Sequence, residues 1–200
     1  MVFKHFLEVI LKFEIEFIMK IQSISTGPEN NLLLIQFCKI FTNEYHHTIL
    51  TILVSFYKMI LYFYQYDFRF IFIFIFVKEY IKLKMIFSFS KFINYKIKNL
   101  FQIKRPYVNN DNIEKITIKK DKSKSFSFPS NSVQKCIVFY YTILSSIQLN
   151  TINYFIVGSI VLMLSYIKTI RGLHYLHDIF SGILIGLLIN YFYLNYMFNL

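Results

Sequence analysis

The chain has 200 residues, 56% of them hydrophobic and 20% aromatic, with mean hydropathy +0.46. A soluble domain of this length is rarely so apolar, and several runs approach the roughly 20 residues a bilayer-spanning helix needs. The net charge of +11 is concentrated: residues 91–124 set ten Lys or Arg against Asp111, Glu114 and Asp121, which describes a solvated or lipid-facing loop and argues against a nucleic-acid-binding face.

Residues 1–22 place Val2, Phe6, Val9, Ile10, Phe13, Phe17 and Ile18 near helical spacing. An amphipathic, interfacial helix is predicted there. Lys12, Glu14, Glu16 and Lys20 interrupt the apolar character, so no cleavable signal peptide is expected. Residues 23–31 (SISTGPENN) form a turn-rich break, and Leu32–Phe41 is apolar but short. Thr48–Tyr64 reads as a span. Phe70–Val77 begins another, which Lys78, Glu79, Lys82 and Lys84 interrupt before a helical continuation over Ile81–Ile93. A polar loop follows over residues 104–132, long enough to be either functional or without fixed structure. Val133–Ile147, Tyr154–Ile167 and Ile179–Phe198 then read as three spans with short connections. Cys38 and Cys136 stand apart in apolar context and are expected to be free thiols rather than metal ligands.

Three polar stretches sit at the ends of these spans. In Lys98-Asn-Leu-Phe-Gln-Ile-Lys104-Arg105-Pro106 the cations at 98 and 105 are about two helical turns apart. They can reach from one side of a helix end to phosphate oxygens, with Pro106 stopping the helix. The same residues also make an interfacial basic anchor. In Ser125-Phe-Ser-Phe-Pro129-Ser130-Asn131-Ser132-Val133, Pro129, Ser130 and Ser132 can open and cap a helix whose free N–H groups suit an anion. A plain helix cap explains them equally well. In Lys168 to Asp178 (KTIRGLHYLHD), His174 can act as a nucleophile, Asp178 can accept its other ring hydrogen, and Lys168 or Arg171 can bind oxygens. An interfacial histidine and a capping aspartate are the plainer alternative. His174, His177 and Asp178 have no obvious further ligand nearby, so no metal is expected. Two spans separate the polar loop from this last stretch. An even number of crossings returns the chain to the same membrane face, where the stretches can meet.

Taken together, these stretches resemble the membrane type-2 phosphatidic acid phosphatase family, within the vanadium haloperoxidase superfamily. The family pattern is K-x6-R-P, then P-S-G-H, then S-R-x5-H-x3-D. Lys98, Arg105 and Pro106 match the first, Pro129 and Ser130 match half of the second, and His174 and Asp178 match the end of the third. Gly172, Tyr175 and Gly182 also fit usual positions, and the resemblance covers about residues 90–190. With the spans read above, it implies an all-α, polytopic transmembrane bundle of about five to six membrane helices over residues 48–200; the amphipathic segment over 1–47 is read from its own spacing and lies outside the resemblance. It also implies metal-independent, cofactor-free removal of phosphate from a lipid phosphate or diphosphate. His174 and Asp178 would be catalytic, and Lys98, Arg105, Ser130, Lys168 and Arg171 would bind phosphate. The expected partners are the lipid substrate and the membrane, with no nucleic acid, and the expected location is the endoplasmic reticulum or the plasma membrane.

The departures from the pattern bear on activity. Ser132 stands where the family has the histidine that protonates the leaving group, and loss of a general acid typically costs roughly 10²–10⁴-fold. Lys168 replaces the third-motif arginine and Ile167 its serine, with Arg171 one turn nearer His174. His177 is a substitute proton donor outside the pattern. A diphosphate, whose leaving group is better than an alkoxide, needs the missing acid less. The alternative is a catalytically inactive relative that binds lipid or serves as a membrane scaffold. The density of lysines in residues 91–124 argues for a cytoplasmic loop, whereas the resemblance implies an external or lumenal site.

Overall fold

The computed structural model describes residues 2–24, 36, 44–65, 71–112, 126–146 and 151–197. Among them are six long helices: α1 (Val2–Ile24), α2 (Glu44–Gln65), α3 (Ile71–Phe101), α5 (Asn131–Ser146), α6 (Thr151–Ile170) and α7 (Leu176–Met197). A single-turn helix, α4 (Pro106–Asn109), follows α3, and no strand occurs among the described residues. The segment expected over Leu32–Phe41 lies outside them, apart from Gln36, as do residues 113–125 of the polar loop.

Helix α5 is the hub, touching α2, α3, α6 and α7. Its sequence explains why. Val133, Cys136, Ile137, Val138, Phe139 and Ile143 are all buried and point in every direction around the axis. A helix apolar all round belongs in the centre of a bundle. Phe139 sits between the rings of His47, 4.2 Å away, and Phe87, 5.2 Å away. The outer faces carry large apolar side chains instead, among them Phe74, Phe155, Leu162 and Phe180, each more than two-thirds exposed. That is an inverted dressing, suited to a hydrocarbon solvent. By composition alone, Leu176–Tyr193 is long and apolar enough to cross a membrane, while His46–Leu61 and Tyr154–Ile170 are shorter apolar helices.

Polar side chains hold the helices in register. Asn94 of α3 donates to Gln134 of α5 at 2.7 Å, and Gln134 Nε2 donates back to Ser90 O and Oγ at 2.9 Å. Thr142 of α5 donates to Asn190 of α7 at 2.9 Å. In lipid, where apolar contact gives no hydrophobic drive between helices, such bonds contribute on the order of 1 kcal/mol each. Between α5 and α7 the approach is closer still. A Cβ on Gly182 would lie 2.8 Å from Ser130 O, and one on Gly186 would lie 3.0 Å from Ile137. These two glycines, one turn apart, let the backbones nearly touch.

Two sequence expectations change. The predicted interruption at Lys78–Lys84 is absent: α3 runs unbroken for 31 residues, about 46 Å. Lysine and glutamate lower hydropathy but are good helix formers, and Glu79 is paired with Lys58 of α2 at 2.6 Å. The helix predicted at the N-terminus forms, with Lys12, Glu16 and Lys20 exposed, but its buried stripe takes in one carboxylate and leaves out some of the expected apolar residues. Glu14 and Ile18 are buried, while Val9 and Phe13 are more than half exposed. α1 is docked on the bundle through this face, with Gln22 Nε2 donating to Ile170 O at 2.6 Å and Ile18 packed with Tyr175. α2 starts at Glu44, so the division expected at 47/48 falls inside a helix.

Candidate active site

Three loops meet at one rim of the bundle. The first follows α3. Gln102 adopts a left-handed conformation (φ 49°) and its N–H bonds Lys98 O at 3.0 Å, which closes the helix. Lys98 therefore stands in the last turn. Its ammonium donates to Phe126 O at 2.7 Å and Ser127 O at 3.2 Å, leaving one of three hydrogens for a further acceptor. Arg105, in extended conformation, is the N-cap residue of α4, and the buried Pro106 occupies the first helical position.

The second loop, Phe126–Ser130, leads into α5 through a cis Phe128–Pro129 bond. Ser127 N donates to Ile103 O at 2.7 Å, which ties it to the first loop. Ser130 N donates to Asp178 O at 2.9 Å. Ser130 Oγ is buried and makes no hydrogen bond among the described residues.

The third loop joins α6 to α7. α6 ends at Gly172 (φ 60°), with Leu173 N bonded to Lys168 O at 3.1 Å and Gly172 N to Thr169 O at 2.9 Å. This paired closure needs a left-handed residue, which glycine adopts without a Cβ clash. The next residues are thrown across the rim, and Tyr107 N of α4 donates to Gly172 O at 3.3 Å. α7 then opens at Leu176. Asp178 Oδ2 reaches back to the Tyr175 N–H at 2.9 Å, so the carboxylate caps its own helix.

The same oxygen organises the site. Ser127 Oγ donates to Asp178 Oδ2, and His174 Nδ1 lies 3.4 Å from both that oxygen and Ser127 Oγ. Both neighbours can accept, so Nδ1 holds the ring hydrogen and Nε2 keeps its lone pair. His174 is 4% exposed and Asp178 is fully buried. Burial lowers the His174 pKa from 6.5 to about 4; Asp178 opposes the fall, while the charges of Arg105 and Lys168 add to it. The imidazole is therefore neutral at pH 7, close to two cations.

The structure thus gathers His174, Asp178, Lys98, Arg105 and Lys168 at one rim, and the charges of Arg105 and Asp178 also act on Lys98. Ser130 joins them through its backbone. Arg171 is buried just after the end of α6. Ser132 lies in the first turn of α5, partly exposed. His177 is held between two carboxylates. Its Nδ1 is 2.6 Å from Glu14 Oε2, and its Nε2 is 3.2 Å from Asp178 Oδ1 without being aligned as a hydrogen bond. Ser127 and Glu14 were not singled out from the sequence. Ser127 is one of several serines alternating with Phe, and Glu14 reads as one of several charges that interrupt the apolar character of α1.

A family model described as the PAP2 superfamily matches residues 79–200, which is more than half of the chain. The chain belongs to the PAP2 superfamily. The fold is also similar to the crystal structure of the first transmembrane PAP2-type phosphatidylglycerolphosphate phosphatase, from Bacillus subtilis. The TM-score is 0.67 at 18% identity, covering 94% of this chain and 87% of that one. No curated protein sequence matches. The all-α bundle is thus that of a polytopic PAP2 membrane protein, and membership supports a phosphatase-type hydrolase. The match begins at Glu79, so α1 and α2 lie outside the PAP2 stretch.

Proposed function

We propose that this protein removes phosphate from a lipid phosphate or diphosphate through a phospho-histidine intermediate at His174. The observation that carries the reading is a neutral, buried imidazole whose Nδ1 faces Asp178 Oδ2 and Ser127 Oγ at 3.4 Å, with the charges of Arg105 and Lys168 close by. Lys98, Arg105 and Lys168 hold the phosphoryl oxygens and offset charge as it builds in the transition state, and Ser130 and nearby backbone N–H groups assist. The Nε2 lone pair forms an N–P bond as the P–O bond to the leaving group breaks, and the leaving oxygen takes the electron pair. Asp178 keeps the ring oriented and balances its positive charge. Water then adds to phosphorus, the N–P bond breaks, and inorganic phosphate leaves with His174 restored. Cationic side chains carry the charge neutralisation, so turnover needs no metal. The lipid sits in the bilayer of the endoplasmic reticulum or plasma membrane with its head group at this rim.

Ser132 supports a preference within that class. Without the family's general acid, the inner phosphate oxygen of a lipid diphosphate departs more readily than an alkoxide. The same residue is what favours the second reading, an inactive relative that retains the anion pocket. Turnover of purified protein on short-chain phosphatidic acid and on a prenyl diphosphate, with and without His174→Ala, separates the two. Chelator-resistant phosphate release that His174→Ala abolishes is the expected result. Equal release from both proteins, or release halted by chelator, rejects the mechanism. Silence on every lipid phosphate favours the inactive relative.

A further inference from the structure

Helix α1 lies outside the stretch that matches the family, residues 79–200, yet it brings a carboxylate to the back of the site. Glu14 is 5% exposed. Its Oε1 accepts the His177 backbone N–H at 2.9 Å, and its Oε2 lies 2.6 Å from the ring Nδ1. The other ring nitrogen faces Asp178 Oδ1 at 3.2 Å. The plane of the ring is fixed from its sides: Tyr175 stacks on it with centroids 5.2 Å apart and planes 12° apart, and Phe128 lies at 5.8 Å.

The two oxygens of Asp178 have different surroundings. Oδ2 takes the Ser127 hydroxyl and the Tyr175 N–H and faces His174. Oδ1 is buried and has no aligned hydrogen bond among the described residues. A buried carboxylate oxygen left without a donor is unfavourable, and His177 Nε2 is the group at hand to supply one. An imidazole with a carboxylate oxygen at each nitrogen satisfies both only when each nitrogen carries hydrogen. Glu14 favours that state by claiming Nδ1. The charged groups around His177 are then Glu14 from α1 and Asp178 from α7, with Lys98 of α3 and Arg105 of the following loop close to Asp178 and His174.

We propose that Glu14 is a positioning residue for catalysis. It clamps His177 against Oδ1 of Asp178, so that Oδ2 stays turned to His174 and Nε2 of the nucleophile stays turned to the phosphate. The proposal rests on the phosphatase reading and adds to it a residue of the N-terminal helix. It takes α1 as part of the catalytic apparatus rather than as an anchor beside it.

The test measures kcat and KM for the full chain in detergent with short-chain phosphatidic acid, comparing wild type with Glu14→Gln, His177→Gln and the double variant. Loss of a buried partner that orients an active group lowers activity by about 10- to 100-fold. The expected result is a fall of that size in kcat with KM within about two-fold, because the groups that grip phosphate are untouched. The double variant loses no more than the worse single one, since both act through one contact. Phe13→Ala, on the exposed side of α1, leaves both constants unchanged. Should Glu14→Gln fail to fold, His177→Gln carries the same reading from the other side of the pair. An unchanged kcat in Glu14→Gln, or KM and kcat worsening together, overturns the proposal while wild-type turnover keeps the phosphatase reading intact. A wild type silent on lipid phosphates and diphosphates sinks that reading, and this proposal with it.

Discussion

At the scale of single residues, dryness decides how His174 behaves. Burial lowers its pKa from 6.5 to about 4, and Arg105 and Lys168 push the same way against Asp178. In the proposed mechanism only the neutral ring attacks, so the free enzyme should stay competent well into acid. The acid limb of kcat/KM is expected to bend near pH 4, and a pH profile with its bend at 6.5 would show a ring open to water. The sign for stability is opposite. Between 6.5 and about 4 the unfolded chain binds a proton that the folded ring refuses, so His174 makes folding less favourable as pH falls through that window. Ser132 is the second residue with a sharp expectation. Ser132→His restores the family's proton donor and should raise kcat on an alkyl phosphate by up to about 10²-fold, with a smaller gain on a diphosphate. Steady-state rates on the two substrates decide it. An equal response on both would mean that the position does not protonate the leaving group.

At the scale of elements, the site depends on how helices stop and start. Gly172 closes α6 in a left-handed turn, where a Cβ typically costs 1–2 kcal/mol. Gly172→Ala should therefore lower stability by about 1 kcal/mol and disturb the placement of His174, measurable as a lower unfolding midpoint with a reduced kcat. Gly182→Ala should do more harm. The new Cβ would meet Ser130 O at 2.8 Å, a backbone atom that cannot swing aside, and Ser130 is itself bonded to Asp178. Loss of most activity is expected, and wild-type rates would show that α5 and α7 have slack. Much of this architecture can be read from the residue string. Val133–Ile147 and Ile179–Phe198 are predominantly apolar segments of helix length, and α5 and α7 fall within a few residues of them. The length of α3 was harder to see, because its lysines depress hydropathy without breaking a helix. The burial of Glu14 was not legible: it sits one turn from both Ile10 and Ile18, where it reads as an interruption of the apolar stripe, and only the distant His177 gives a buried carboxylate a reason to be there. Ser127 was hidden differently, as one serine in an alternating run.

At the scale of the whole molecule, helix counting placed the two distant halves of the site on one membrane face, and α4 and the α6–α7 loop do touch through Tyr107 N and Gly172 O. Helix α6 runs from Thr151 to that rim at Ile170, so its start belongs to the other face. With Cys38→Ser, cysteines introduced as Asn112→Cys and Thr151→Cys, both at exposed positions, should label from opposite sides of sealed vesicles with an impermeant thiol reagent. Labelling from one side would refute the crossing of α5 and α6. The near-contact of α5 and α7 at Gly182 and Gly186 carries a consequence for selectivity. Where two main chains already abut at glycines, no side chain is left to trim to make room. A bulkier head group must be admitted by the facing wall, where Lys98 and Arg105 sit on long, hinged stems. Evolution toward new substrates in this protein should therefore be written in the stretch from Lys98 to Asn110, with the opposite wall left as a fixed jaw.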